Sequence, residues 1–143
     1  LRLSEIHACI AREQLKYLDK WNTARRKNAA MYNSLLTDTT EVKKPIERKW
    51  ARHVYHYYVI RFQKRDELKE YLTSKGIGIG IHYPTPIHLQ PVYKERFGFS
   101  DRDLPITEEV ANEVLSLPCH PMLFPKNIKF IADSIIEFDE EKK

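Results

Sequence analysis

An α/β (α+β) fold, in which strands pack against helices, is predicted by three features. Residues 53–62 are rich in Tyr, Val and Ile on both faces, which is typical of a central strand. Ile77, Ile79 and Ile81 alternate with glycines at the period of a strand. Segments of helical periodicity flank both strands. Because 143 residues, 42% of them hydrophobic, can bury one core, we predict a single domain over residues 1–143.

The chain opens with a long predicted helix. Ser4 is a favoured N-cap residue and Glu5 follows it. Apolar residues then recur on two stripes, which are Ile6, Ile10, Tyr17 and Trp21 on one face and Ala8, Ala11, Leu15 and Leu18 on the other. A surface helix needs only one apolar face, so we expect another domain or a partner subunit to cover the second.

Helical periodicity continues as far as Leu36, with Arg25, Arg26 and Lys27 on the side expected to face solvent. A straight helix of this length would reach about 50 Å, which is long for a small domain. We therefore predict a kink or break near residues 21–23.

The remaining elements are predicted from hydrophobic periodicity and from residues that begin or end helices. Residues 64–75 predict an amphipathic helix that points Leu68, Tyr71 and Leu72 inward and ends at Gly76. With the strands at 53–62 and 77–81, it forms a predicted β-α-β unit. A short helix over about 89–97, a loop over 98–105, a helix from Thr107 to Val114, a strand over 115–117 and a helix over 128–138 complete the prediction.

Composition disfavours several function classes. The net charge of +4 is modest for a nucleic-acid binder, and the aromatic and basic strand signature of RNA-binding modules is missing, so such a module is the less favoured alternative. No apolar run approaches the roughly 20 residues that span a bilayer, so we expect no membrane partner. Cys9 and Cys119 lie far apart without a CxxC pair, which favours reduced thiols and a cytoplasmic protein.

Motifs for metal binding or catalysis are weak. Zinc sites draw on ligand pairs at short spacing, whereas two prolines separate His82 from His88 and no cysteine accompanies them. Neither cysteine lies in a glycine-rich elbow, and no phosphate-binding glycine loop opens a helix. We predict no metal site and no catalytic residue in this chain.

The strongest binding candidates, His82 and Tyr83, end the glycine-spaced strand. Pro84 and Pro86 follow and stiffen the turn, so the two rings are aimed before a ligand arrives. This arrangement favours recognition of a polar ligand. His88 has two open alternatives, because it could face the same cleft or cap the following helix. His56 and Tyr57 are interpreted as packing within the strand.

Several blocks of the sequence match one enzyme family in order. The chain resembles the DegT/StrS-type aminotransferases, which are fold-type I pyridoxal-phosphate enzymes that aminate nucleotide-linked keto sugars. The matching blocks are Arg2-Leu3-Ser4-Glu5-Ile6-His7-Ala8, Tyr55-His56-Tyr57-Tyr58-Val59-Ile60-Arg61, Arg65-Asp66, Gly76-Ile77, His82-Tyr83-Pro84-x-Pro86-x-His88-Leu89-Gln90 and Leu115-Ser116-Leu117-Pro118-x-His120-Pro121.

The resemblance implies a carboxy-terminal small domain of a longer enzyme, with a small, mainly antiparallel sheet packed with helices. In that family the segment with the Schiff-base lysine precedes the part that matches Arg2, so the chain alone is expected to be inactive. The whole enzyme would transfer an amino group from glutamate to a nucleotide sugar and would be a homodimer. An alternative is a non-catalytic homologue, or a regulatory or partner subunit, with the same fold.

The resemblance also implies binding roles for matching residues. Arg2 would contact the pyridoxal 5'-phosphate site across the dimer, where a guanidinium can hold paired oxygens. His82 and Tyr83 would lie near the diphosphate of the sugar nucleotide, where N–H and O–H groups can donate to anionic oxygens. His88 is the third candidate for substrate binding.

Overall fold

A computed structural model describes residues 3–37 and 39–141. In chain order its elements are α1 (Glu5–Leu15), α2 (Leu18–Leu35), β1 (Tyr58–Arg61), α3 (Arg65–Ser74), a 3₁₀ turn (Ile87–Leu89), α4 (Pro91–Phe97), α5 (Pro105–Glu113), β2 (Val114–Leu117) and α6 (Pro125–Glu141). A small antiparallel sheet packed with helices confirms the predicted fold class.

The first helical segment begins as predicted but breaks earlier. Ser4 is the N-cap of α1, and its hydroxyl accepts a hydrogen bond of 3.4 Å from the His7 amide. The predicted break near residues 21–23 is wrong, because α1 ends at Leu15 and α2 begins at Leu18. There the amides of Lys16 and Tyr17 donate to the third residue back, at 3.3 and 3.0 Å, which tightens the last turn of α1.

The sheet is shorter than the sequence predicts. Strand β1 pairs antiparallel with β2, with Tyr58 opposite Leu117 and Arg61 opposite Val114. The predicted strand over 53–62 is wrong in its first half, because Tyr55 has a φ of 50° and lies in the left-handed region. Tyr55 is buried nonetheless, so its apolar signal reflects packing of the ring rather than strand pairing.

Residues 77–81 make one bridge, from Gly80 to Ser116, rather than the predicted full strand. This bridge and the β1 ladder are both antiparallel to β2, so residues 77–81 run in the same direction as β1. The predicted β-α-β unit therefore has β2 inserted between its two parallel segments, which do not pair directly with each other.

The other helices lie close to their predicted positions. Helix α3 ends before Gly76, whose φ of 77° explains why glycine stands there. The short helix predicted over 89–97 is divided into the 3₁₀ turn and α4. Helix α5 starts at Pro105, which lies two residues before the predicted cap at Thr107, because proline suits the first helical position.

One hydrophobic core lies between the sheet and three helices. Helix α6 packs against both α2 and α3. The buried side chains of these elements are Ala29, Tyr32 and Leu36 of the α2 segment, Tyr58 and Ile60 of β1, Leu68 and Leu72 of α3, Leu115 and Leu117 of β2, and Ile128, Ile131, Ala132, Ile135 and Phe138 of α6. This core fixes the two ends of the sheet against which the candidate site is built.

Helix α1 stands outside this core and buries no residue. Its exposed apolar side chains, with their neighbours, are Leu3, Ile6, Ile10, Leu15, Tyr17 and Leu18. None of the helices in the described part of the chain is long and apolar enough to cross a membrane.

Replacing Leu68 with alanine should lower the free energy of unfolding by about 2–5 kcal/mol, because the side chain is fully buried and its loss leaves a cavity. The matched control is Leu15→Ala in α1, where the side chain is 66% exposed. That change should stay within about 0.5 kcal/mol. Urea unfolding followed by circular dichroism measures both, and equal losses would contradict the assignment of the core.

Candidate functional site

The imidazole of His82 lies at the centre of the candidate site. Its Nδ1 is 2.9 Å from the hydroxyl oxygen of Ser116 on β2. Its face stacks on the ring of Tyr57, with centroids 4.1 Å apart and planes 18° from parallel. Among the described residues the ring makes one hydrogen bond, so its other nitrogen remains for a ligand. The ring is thus held on its face and at one edge before any ligand binds.

Gly80 leaves the space that this ring occupies. A Cβ atom at residue 80 would come within 2.7 Å of Cε1 of His82, which is closer than real side chains approach. Any larger residue there would therefore displace the imidazole. Close approach of the His82 side chain therefore explains why the segment has a glycine at residue 80.

His82 borders two cavities. One, of about 310 Å³, is lined by Arg25, His56, Tyr57, Gly78, Gly80, His82, Ser116, Leu117, Pro118, Cys119 and His120. We name it the arginine cavity. The other, of about 220 Å³, is lined by His82, Tyr83, Thr85, Pro86, Ile87, Thr107, Val110, Ala111 and Val114. The Tyr83 side chain is 73% exposed, so both predicted rings lie at openings of the surface.

One wall of the arginine cavity is tied to α2 by side-chain hydrogen bonds. The hydroxyl of Tyr32 donates to the carbonyl of Pro118 at 3.0 Å, and the amide of Asn28 donates to the carbonyl of His120 at 2.9 Å. The thiol of Cys119 lies 3.6 Å from the carbonyl of Arg25. Residues 118–120 and α2 therefore form one firmly connected wall.

Burial makes the polar groups of this wall hard to ionise. Loss of solvent raises the pKa of the Cys119 thiol to about 11, so the thiol stays protonated and is a poor nucleophile. Burial also raises the pKa of the Tyr32 hydroxyl well above its usual value. Both groups therefore stay neutral and add no negative charge to this wall.

His88 lies elsewhere. Its side chain is 5% exposed, its Nε2 is 3.1 Å from Oε1 of Glu108, and its ring meets Phe99 edge-on. The ring lines neither cavity beside His82, and the 3₁₀ turn that contains it is capped by Pro86 and Gln90 without side-chain hydrogen bonds. This geometry is that of a buried contact with Glu108 and Phe99, and substrate binding by His88 stays a prediction.

Arg2 lies outside the described residues. Three residues to which the sequence assigned no binding role line the arginine cavity, namely Arg25, Tyr57 and Ser116. Arg25 was expected to face solvent with Arg26 and Lys27, but its side chain lines the cavity. The sequence could not predict this position of Arg25, because helical periodicity identifies only the apolar face of a helix. Tyr57 is 41% exposed, and its ring stacks on His82, the candidate ligand-binding residue.

The described residues do not fit the role of anchoring pyridoxal phosphate. No described lysine lines either cavity beside His82. The ion pair with Glu137 raises the pKa of Lys75, whereas an amine that bonds to an aldehyde must lose its proton. Lys44 donates to a backbone carbonyl of α2 at 3.1 Å. Within the described ranges no group of three His, Cys, Asp or Glu side chains could hold a metal ion.

Comparison with solved structures defines the class of protein. A crystal structure of Streptomyces venezuelae DesV in complex with a ketimine intermediate superposes with a TM-score of 0.93 at 35% identity. The match covers 97% of this chain and 37% of that one. A Brucella abortus DegT DnrJ EryC1 StrS aminotransferase superposes with a TM-score of 0.87 at 34% identity, over 96% of this chain and 36% of that one, so the fold is that of a portion of an aminotransferase.

The sequence comparison gives the family. Residues 1–136 match the DegT/DnrJ/EryC1/StrS aminotransferase family, and the chain belongs to it. A Geobacillus stearothermophilus "pleiotropic regulatory protein" is 40% identical over 96% of this chain and 37% of its own length. The Streptomyces venezuelae "dTDP-3-amino-3,4,6-trideoxy-alpha-D-glucose transaminase" is 35% identical over 97% of this chain and 36% of its own. The chain therefore spans little more than a third of these relatives.

Replacing Glu108 with glutamine should destabilise the loop that precedes α5. The carboxylate accepts hydrogen bonds from the amides of Arg102 at 3.0 Å and Leu104 at 3.3 Å, in addition to contacting His88. The Arg102 amide, then His88, lowers the pKa of Glu108. Its contribution is therefore complete above the ordinary carboxyl pKa of about 4.3 and is lost as the pH falls through the lower folded value.

Chemical unfolding at pH 7 and at successively lower pH checks this expectation. The wild type should be more stable than Glu108→Gln at pH 7, and the difference should shrink in acid. The exposed Glu95→Gln is the matched control and should show no such difference. A gap between wild type and Glu108→Gln that is constant across pH would contradict the role of the carboxylate.

Proposed function

We propose that this chain is the carboxy-terminal small domain of a pyridoxal-phosphate-dependent aminotransferase that transfers an amino group from glutamate to a nucleotide-linked keto sugar. The observation that carries the proposal is the fixed His82 ring at the mouth of two cavities, in a chain that belongs to an aminotransferase family. Sugar transaminases among the relatives support the substrate class.

The domain would form one wall of the substrate cleft. His82 and Tyr83, which line the cavities, would donate hydrogen bonds to the diphosphate of the sugar nucleotide. Arg2 would contact the cofactor, and a separate large domain would supply the reactive lysine. His88 would support the cleft indirectly, because it holds the 3₁₀ turn against α5 through Glu108.

The assembly would be a homodimer in the cytoplasm. The exposed apolar side chains of α1 support a covering surface from the large domain or the second subunit. The free thiols of Cys9 and Cys119 support a reducing compartment.

A second candidate function is that of a regulatory or partner subunit without catalysis. It is favoured by the name of the relative from Geobacillus stearothermophilus, a "pleiotropic regulatory protein". The two candidates share the fold and differ in whether the complete protein reacts with its substrate.

The 143-residue chain alone should not bind pyridoxal phosphate covalently at one defined lysine. Incubation with the cofactor, reduction with borohydride and peptide mass spectrometry should find only scattered, substoichiometric labelling, because no described cavity beside His82 contains a lysine. Quantitative labelling of a single lysine that disappears on its replacement by alanine would overturn the small-domain proposal.

A chimera tests the role of the two rings. In it, this chain replaces the matching part of the Streptomyces venezuelae transaminase, with which it shares 35% identity. His82→Gln and Tyr83→Phe should each lower kcat/KM for the nucleotide sugar about tenfold or more, because a hydrogen bond to a charged group contributes about 1.5–3 kcal/mol.

The control is Tyr93→Phe on α4, which removes the same hydroxyl outside both cavities and should leave kcat/KM within about twofold. Retained cofactor absorbance and melting temperature show that each chimera is folded. Unchanged kcat/KM in both the His82 and the Tyr83 variant would remove them from the substrate site. An active chimera separates the catalytic candidate from the regulatory one only for the graft, so amino transfer by the longer native protein is the deciding assay.

A further inference from the structure

We propose that the arginine cavity is a binding site for a phosphate or diphosphate group, with the Arg25 guanidinium as its principal cation. The site differs from the predicted contacts at His82 and Tyr83 in its main residue and in the element that supplies it, which is α2. Its binding of phosphate oxygens does not depend on amino transfer. Only the source of the group, a sugar nucleotide, rests on the proposed function.

The charge of the lining selects an anion. Arg25 and three histidines, His56, His82 and His120, line the cavity together with Tyr57 and Ser116. None of its described lining residues is an aspartate or glutamate. A concave site with donors of one sign and no carboxylate attracts anionic oxygens and repels cations.

Arg25 lacks the partner that comparable arginines have. Three other arginines with partly or fully buried side chains each meet a carboxylate, in the pairs Arg26–Glu47 at 2.6 Å, Arg61–Glu113 at 2.7 Å and Arg65–Asp66 at 2.6 Å. By contrast, no ion pair among the described residues includes Arg25. The guanidinium charge of Arg25 is therefore not compensated by a carboxylate, and it is available to an anion in the cavity that Arg25 lines.

The cavity walls favour a defined site. Hydrogen bonds from Asn28 and Tyr32 of α2 hold the carbonyls of His120 and Pro118, so Arg25 lies on a helix that is tied to residues 118–120. Ser116 and Tyr57 hold the ring of His82. The volume of about 310 Å³ lies at the lower end of the range for small-molecule sites, which begins at about 300 Å³. Little ordering would be needed when a ligand binds.

A phosphate group fits this distribution better than a single carboxylate. The planar guanidinium can hold two oxygens of either group. A diphosphate, however, carries further oxygens that can meet further donors, and His56 and His120 also line the cavity. The proposal therefore commits to phosphate chemistry, and a carboxylate is the competing ligand in the test.

Titration of the 143-residue chain with inorganic pyrophosphate tests the site directly. Ring resonances of His56, His120 and Tyr57, followed by NMR, should shift in a saturable manner and together. Arg25→Gln should weaken the apparent affinity about tenfold or more, because a charge-assisted contact is lost. Arg96→Gln on α4, which removes an equal charge from an exposed position outside the cavity, should change it less than about twofold.

Glutamate forms the second arm of the titration. Saturation by pyrophosphate with no response to equal glutamate supports the proposal, whereas a glutamate response alone assigns the cavity to carboxylates and overturns it. Equal weakening by Arg25→Gln and Arg96→Gln would show non-specific charge attraction and would also overturn it.

Should Arg25→Gln unfold, as circular dichroism would reveal, His56→Gln at the exposed rim must weaken binding by itself. Loss of amino transfer in a longer enzyme with intact pyrophosphate binding would refute the proposed function and leave this site standing.

Discussion

The position of Ser116 constrains both the sheet and the candidate site. On one side Ser116 lies opposite Val59 of β1, and on the other its amide donates to the carbonyl of Gly80 at 2.7 Å. Its hydroxyl then meets His82, two residues beyond Gly80. Since a one-residue slip in a strand turns every side chain to the opposite face, a change of register would remove this hydroxyl from the imidazole. The aim of His82 is therefore a consequence of sheet pairing rather than of the proline turn alone.

The same packing that closes the core also builds the cavity wall. Tyr32 of α2 stacks on Tyr58 of β1 with centroids 4.8 Å apart, while its hydroxyl donates to Pro118. Burial raises the pKa of both phenols, so they remain neutral, and Tyr32 keeps the proton it donates. Because Arg25 lies two helical turns before Tyr32 on α2, docking of this helix on β1 also brings the guanidinium to the cavity.

Local signals predicted the helices well and the irregular pairings poorly. Ser4 marks the start of α1 and Gly76 follows the end of α3. Both boundaries depend on neighbouring residues alone, so both could be predicted from the sequence. The aromatic run before Tyr58 was read as strand, but Tyr55 is buried in a left-handed conformation, and burial without pairing leaves the same apolar signal. Other contacts join residues that are distant in sequence, and periodicity does not predict them. The Cys119 thiol meets the carbonyl of Arg25, and the imidazole of His88 meets the carboxylate of Glu108.

Helix α1 shows how far this domain depends on other surfaces. An isolated helix of 11 residues is marginally stable in water, since nucleation costs more than so few hydrogen bonds return. Side chains such as Ile6 and Leu15 contribute nothing to the core described here, although they are apolar and well placed on the helix. Their burial against a second surface would stabilise α1, because apolar area removed from water would add to the few hydrogen bonds that so short a helix makes on its own.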